Sequence, residues 1–470
     1  MKRNLDQTLG SLPPEWGQSL LPAIHARVES TRRKVVVLDD DPTGTQTVHN
    51  VDVLTKWSVP LLEDALRSPE TVVYLLTNSR SLPPRQARDL AREIAANLIA
   101  ARESTGRDFA VISRSDSTLR GHYPLEVDVL ATSLGSIDGV LIVPALFEGG
   151  RYTIDDTHYV TEDEWLIPAA ETEFARDTDF GYRSSNLRAW VTEKTNGRWP
   201  VQQVVSITLE DIRQGGPIRV LEILNGLSGE RPCVVNAASY RDLEVLVAAI
   251  VKAEAGGKRF LCRTAASFVR VRGGMDAAPL LQAPDLPCLH PQHGGLIVAG
   301  SYVRRTSTQL DALRDLPNLV WMEMSVPALL EPSARSGHIR AAHTEAAEAI
   351  RAGMDVLLFT SREVVKEQEG RSFQEIGQTV AESLIRVVQR LDVPPAWIIA
   401  KGGITSAVLA SHGLNVRKAR VLGQAISGVP VWQTGPESRF PDLAYVVFPG
   451  NAGGPTALAD MVKILRENRA

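Results

Sequence analysis

The feature that most constrains the fold is an alternation of unbroken apolar runs with segments of helical periodicity. Val35-Val36-Val37-Leu38, Val72-Val73-Tyr74-Leu75-Leu76, Phe109-Ala110-Val111-Ile112 and Val140-Leu141-Ile142-Val143 are such runs. A strand with one wet face alternates apolar and polar residues, whereas a continuous apolar run is a strand buried on both faces. Buried strands that alternate with helices belong to parallel sheets covered on both sides. Between the second and third runs, Leu90, Ile94 and Leu98 recur at i, i+4 and i+8 behind two prolines, which predicts an amphipathic helix over 84–102. The pattern restarts near residue 295 with Leu296-Ile297-Val298-Ala299, Val356-Leu357-Leu358-Phe359 and Trp397-Ile398-Ile399-Ala400, among helical stretches over 341–351 and 373–391. The expected architecture is α/β, with two domains at 31–290 and 295–470, each built on a mostly parallel sheet covered by helices. Residues 1–30 read as an untethered N-terminal extension, and 283–295, rich in Pro, Gly and His, as the linker.

Composition excludes several function classes. The chain has 51 Lys+Arg against 55 Asp+Glu, a net charge of -4, so it has no basic excess for a phosphate backbone and a nucleic-acid partner is not expected. Aromatics at 6% also argue against a stacking platform for single strands. No run of 18 apolar residues exists to cross a membrane, and the first ten residues carry no apolar leader core. The three cysteines, Cys233, Cys262 and Cys288, are scattered and unpaired in number, as in a reducing compartment. A cytoplasmic protein is expected, with a homodimer as the default assembly.

Polar clusters follow the predicted strands, at the ends where open α/β sheets place ligands. The first is Asp39-Asp40-Asp41-Pro42-Thr43-Gly44. Three adjacent carboxylates repel one another and need a cation or a shared proton, which suggests a metal-facing or general-base site. The plainer alternative is a solvated turn with an aspartate cap. The second cluster runs from Ser113 to His122 and holds Arg114, Ser115, Asp116, Ser117 and Arg120. Arginines clamp a carboxylate in bidentate fashion while Asp and Ser bind hydroxyls, so the cluster suits a small polyhydroxy acid. The third, Glu148-Gly149-Gly150-Arg151, adds close backbone approach and another candidate anion clamp.

In the second half, Gly300-Ser301, Lys401-Gly402-Gly403-Ile404-Thr405 and Pro449-Gly450-Asn451 follow strands, and together suggest loops converging on a phosphate. Neither GxxxxGK[ST] nor GxGxxG is present, so the familiar P-loop and Rossmann fingerprints are missing. The nine histidines form no zinc spacing; His49, His122 and His158 lie near the N-terminal clusters and read more readily as structural than as ligands.

These residues, in this order, resemble the four-carbon acid sugar kinase family, over nearly the whole chain after residue 34. The family's Asp-Asp-x-Thr-Gly turn appears as Asp40-Asp41-Pro42-Thr43-Gly44, and its Lys-x-Asp-Ser-Thr-Leu-Arg-Gly as Arg114 through Gly121, with Arg114 in place of the lysine. Its Gly-Arg-x-Thr appears as Gly150-Arg151-Tyr152-Thr153. The position that often holds the family's second serine is Val303 here, and residues 171–186 look like a longer branch in which Arg176 and Arg183 are candidates to extend the site or an interface.

The resemblance implies a sugar-acid-binding domain followed by a nucleotide-binding domain, with the active site in the cleft between them. It implies ATP-dependent phosphorylation of the terminal hydroxyl of an acid such as threonate, erythronate or an oxo-tetronate. Asp41 or Asp40 would take the proton. Arg114, Asp116, Ser117, Arg120, Gly150 and Arg151 would bind the acid. Ser301, Gly402, Gly403, Ile404, Thr405, Gly450 and Asn451 would hold ATP, with Mg²⁺ inferred and its ligands unassigned. The rival expectations are a non-catalytic sensor of sugar acid and nucleotide, and a sugar-acid dehydrogenase or isomerase.

Overall fold

A computed structural model describes the chain apart from Met1, 301–303, 362–372, Asn451 and Ala470. It divides into two compact units, Met1–Val48 with Lys56–Ala277, and His49–Thr55 with Ala278–Ala470.

The first unit contains a parallel sheet in the order Val205–Ile207, Arg231–Val235, Gly139–Val143, Phe260–Thr264, Phe109–Arg114, Lys34–Asp39, Val72–Leu76. Every residue of Lys34–Asp39, Val72–Leu76 and Phe109–Arg114 is buried, as unbroken apolar runs require. The register matters for function. Val143 is level with Thr264, Thr264 with Arg114, Arg114 with Asp39, and Asp39 with Leu76. Five loops therefore leave the sheet side by side at one edge.

The helix expected over 84–102 spans Pro84–Thr105, opens on proline and ends at Gly106 in the left-handed region. Ala87, Ala91, Ile94, Ala95 and Leu98 form its buried stripe. Helix Tyr240–Ala255 is started by a capping box in which Ser239 and Asp242 each accept from the other's backbone.

The first thirty residues are not a loose extension. Arg3–Asn4 pairs antiparallel with Trp165–Pro168, in a small sheet completed by Thr157–Glu162 and Arg151–Ile154. Helix Leu21–Thr31 buries Ile24 and Val28, and the backbone N–H of Leu20 donates to Glu244 at 2.7 Å. A two-residue strand and a short helical stripe are too brief to show as periodicity.

The second unit orders its strands Val51–Leu54, Lys418–Ile426, Val429–Thr434, Ala444–Phe448, Trp397–Lys401, Leu296–Ala299, Asp355–Thr360, Leu319–Met324. The last five run parallel, and the first three pairings are antiparallel. Phe448 is level with Lys401, and Lys401 with Ala299. The glycine loops after these strands therefore start from a common edge. Residues 283–295 are packed into this unit: Leu286 belongs to its core, and a Cβ on Gly295 would stand 2.1 Å from the Trp397 ring.

Candidate active site

The aligned edge of the first unit gathers opposite charges at high density. Asp39, Asp40 and Asp41 follow one strand and Arg114 ends its neighbour, so their register sets them side by side. Arg114 is buried, donates through Nε to Asp39 Oδ1, and through Nη2 to the Asp41 carbonyl at 2.6 Å. Gly44 lies against this pair: a Cβ there would be 2.2 Å from Arg114 Nε and Asp39 Oδ1. The glycine of the turn is required by close approach to a buried ion pair. Burial is the main influence on Asp39 and pushes its carboxyl up to about 7 against the pull of Arg114.

The cation that three adjacent carboxylates demand is supplied by arginine, and the sequence reading passed over its principal source. Arg80 lies in the loop after Val72–Leu76. Its Nη2 is 2.8 Å from Asp41 Oδ2 and 3.6 Å from Asp40 Oδ1, and its Nη1 is 3.2 Å from Asp116 Oδ1. Asp41 also accepts from the Thr43 N–H at 2.9 Å and the Thr43 hydroxyl at 2.5 Å, capping the turn Pro42–Thr45. Burial works against its charge, but Arg80, Arg114 and Thr43 outweigh it and hold the carboxyl below its ordinary range. Asp40 is more enclosed than Asp41, its side chain 3% accessible against 19%. Its Oδ2 accepts from Ser115 at 2.9 Å, while its Oδ1 is buried with no hydrogen bond among the described residues.

Asp116 is held by Arg120 Nε at 2.7 Å and by the Thr118 hydroxyl as well as by Arg80. Burial disfavours its charge, yet these partners keep the carboxyl far below the usual range. Arg120 and Arg151 both lie over the ring of Phe174, at 5.1 and 5.8 Å from its centroid. Arg120 also approaches Asp177 at 3.6 Å. Arg151 Nε is buried and has no hydrogen bond among the described residues. The longer segment around 171–186 thus brings Phe174 and Asp177 to the site. Arg176 is exposed, and the Arg183 side chain is 92% accessible beside Glu193.

Arg263 was also missed. It lies within the apolar strand Phe260–Thr264, fully buried between the rings of Tyr123 and Trp190, and donates to the Arg120 carbonyl at 2.9 Å. Both missed arginines follow the rule that located the other clusters, a charged residue at the C-terminal end of an apolar run. Two of the three histidines near these clusters are held within the protein: His122 bonds the carbonyls of Ser79 and Leu82, and His158 sits between the Thr153 hydroxyl and the Ser117 carbonyl, whereas His49 contacts Asn50. Cys233 and Cys262 are buried, and burial pushes the Cys262 thiol up to about 12.

The corresponding edge of the second unit is built mostly of backbone. Gly402 has φ 109°, outside the range of side-chain-bearing residues, and precedes the short helix Gly403–Val408. A Cβ on Gly300 would be 2.8 Å from the Thr405 hydroxyl, so these two loops touch. Gln309 donates to the carbonyls of Ala452 and Gly454, fixing the third loop at 2.9 and 2.8 Å. Lys401 donates to the carbonyls of Pro449 and Gly450. Ile404 is exposed. Ser301 and Asn451 lie outside the described residues.

Among the described residues, no group of three His, Cys, Asp or Glu side chains is placed to hold a metal. Arginines stand at the aspartates that would be the natural ligands, so these residues do not form a resident Mg²⁺ site. No described helix is long and apolar enough to cross a membrane.

A charged side-chain edge on one α/β unit and a glycine edge on another define a two-domain protein that handles a small polar ligand and a nucleotide. Residues 35–272 match the sugar-binding N-terminal domain and residues 296–458 the nucleotide-binding C-terminal domain. The chain belongs to the family that joins these two domains, the one expected from its motifs. A D-erythronate kinase of Heliobacterium modesticaldum is 26% identical over 310 residues. That match covers 63% of this chain and 64% of the relative, less than two thirds of its length. The Haemophilus influenzae protein HI1011, of family DUF1537, superposes with a TM-score of 0.62 at 17% identity, over 92% of this chain and 100% of that one. A Salmonella typhimurium LT2 protein described as a tRNA synthase gives 0.68 at 17% identity, over 91% and 98%. At such identities the two structures speak for the fold alone.

Proposed function

We propose that this chain is an ATP-dependent kinase that phosphorylates the terminal hydroxyl of a four-carbon sugar acid. The observation that carries the reading is the Arg120–Arg151 pair over Phe174, with the buried Arg151 Nε lacking an acceptor among the described residues, beside an aspartate cluster that arginines already engage. An unsatisfied buried guanidinium donor favours an anionic ligand. The name of the Heliobacterium relative supports a four-carbon acid.

In this reading Arg120 and Arg151 clamp the carboxylate, while Asp116, Ser117 and the Gly150 backbone meet the hydroxyls. Arg114 stands behind them as the partner of Asp39 rather than as a ligand contact. Asp41, the more accessible of the two candidate bases, accepts the proton of the attacking hydroxyl. A carboxylate of lowered pKa serves here, because phosphoryl transfer passes through a loose transition state and asks for orientation more than for basicity. Gly402, Gly403, Thr405 and Gly450 receive the phosphates through their backbone, with Ser301 and Asn451 as further contacts, and Ile404 offers an apolar surface to the base. Mg²⁺ enters on ATP, as part of the substrate.

The test is ADP release with MgATP against D- and L-threonate, D- and L-erythronate and the oxo-tetronates. Turnover on one acid supports the kinase and names its substrate. Silence across the panel with ATP still bound overturns the four-carbon assignment.

A further inference from the structure

Lys401 ends the strand Trp397–Lys401 and is fully buried. Its ammonium reaches over the ring of Phe448, 4.3 Å from the centroid, and donates to the Pro449 carbonyl at 2.7 Å and the Gly450 carbonyl at 3.2 Å. An ammonium has three N–H donors, and these carbonyls take two. Among the described residues no carboxylate comes within ion-pair distance of it. The charged group that acts on it from a neighbouring element is Arg305, on helix Arg304–Asp311, and has the same sign. Burial first, then Arg305, bring Lys401 down to about 7. A buried cation bonded to carbonyls, with no carboxylate beside it among the described residues, is costly until an anion joins it. Lys401 also begins one glycine turn and bonds the next, so its charge lies at the base of both.

We propose that Lys401 is the counter-ion of a nucleotide phosphate, and that nucleotide binding draws a proton from solvent onto its side chain. The inference rests on reading this edge as the ATP site. The neutral amine gains one proton, the bound phosphate holds it there, and nothing else changes its bonding. The groups about the amine are the Phe448 ring and the carbonyls of Pro449 and Gly450, with Arg305 acting on it through its charge.

The experiment is calorimetric titration of the full chain with ATP at pH 8, where the terminal phosphate is already ionised, in two buffers of different ionisation enthalpy. The wild type is expected to take up about one proton per ATP, and its affinity to fall about tenfold between pH 7.5 and 8.5. Lys401→Met weakens binding about tenfold or more at pH 7 and abolishes uptake. Lys401→Arg binds without uptake and with flat pH dependence, because a guanidinium stays charged. Wild-type binding without proton uptake overturns the proposal, and so does uptake that survives in Lys401→Met. The wild-type measurement decides even if a variant fails to fold. A wild type that binds no ATP at all overturns the nucleotide reading itself, and this inference with it.

Discussion

The two candidate edges both lie at the ends of parallel strands and are furnished in opposite ways. On the first unit, side chains form the edge: Asp39, Asp40, Asp41 and Asp116 are answered by Arg80, Arg114 and Arg120 in one continuous network. On the second, the loops after Ala299, Lys401 and Phe448 present mainly backbone, with Lys401 buried at their base. In the proposed reading the difference follows from what each edge must distinguish. Sugar acids that differ at one centre are told apart by directional hydrogen bonds from fixed side chains. A phosphate chain is common to every nucleotide, and backbone amides with one charge suffice for it.

The comparison breaks most visibly at the proposed base. Asp41→Asn keeps the shape and the bond from Thr43 but removes the acceptor for the hydroxyl proton. Turnover is expected to fall by about 10²–10⁴ with ATP affinity unchanged, read by steady-state kinetics and nucleotide titration. Near-normal turnover would move the base elsewhere.

Smaller, mirror-image effects are expected from one substitution on each edge. Arg151→Ala is predicted to raise KM for the acid about 10- to 100-fold and leave KM for ATP alone. Gly402→Ala forces a side chain onto a φ of 109°. It should weaken ATP about tenfold while sparing the acid. If either variant shifted both constants equally, the division of labour between the edges would fail.

Gly44→Ala probes the frame behind the first edge. The added methyl collides with Arg114 and Asp39, so about 2–4 kcal/mol of stability should be lost in denaturant unfolding, because a buried ion pair is forced apart. A loss under about 0.5 kcal/mol would mean that the pair rearranges freely.

The sheets were legible because unbroken apolar runs such as Val35 to Leu38 have few other uses, and the polar loops at their C-terminal ends marked both edges. The need for a cation or a shared proton beside Asp39, Asp40 and Asp41 was also legible, from repulsion alone. Its identity was not. Arg80 and Arg263 reach the site from separate strands, and no spacing along the chain states which distant arginine folds onto which carboxylate. Arg114 shows the same limit. Its motif suggests a ligand contact, but the register that sets it level with Asp39 engages its guanidinium within the protein. Register is a property of paired strands, which one strand's sequence does not contain.

A last expected effect concerns His158, which is buried and bonded to the Ser117 carbonyl. Burial, against the pull of its bond to the Ser117 carbonyl, lowers its pKa to about 4. The folded chain therefore keeps this ring neutral where the unfolded chain protonates it, near pH 6.5. Between those values the unfolded state binds more protons at this ring, so the histidine's own contribution falls as pH falls, by about 3 kcal/mol at pH 4, and is fully present above about pH 7, while Asp39, raised to about 7, contributes in the opposite sense over the same range. Denaturant unfolding at pH 7 and pH 5 measures the slope, and His158→Gln should reduce it by the histidine's share. An unchanged slope in that variant would place the acid sensitivity in the carboxylates instead. The pH range separates the two: Asp116 and Asp41, held low by their arginines, lose their contribution only at more acid pH. Acid weakening that begins near pH 6 therefore belongs to the histidine, and weakening that begins below about pH 4 to the aspartates of the first edge.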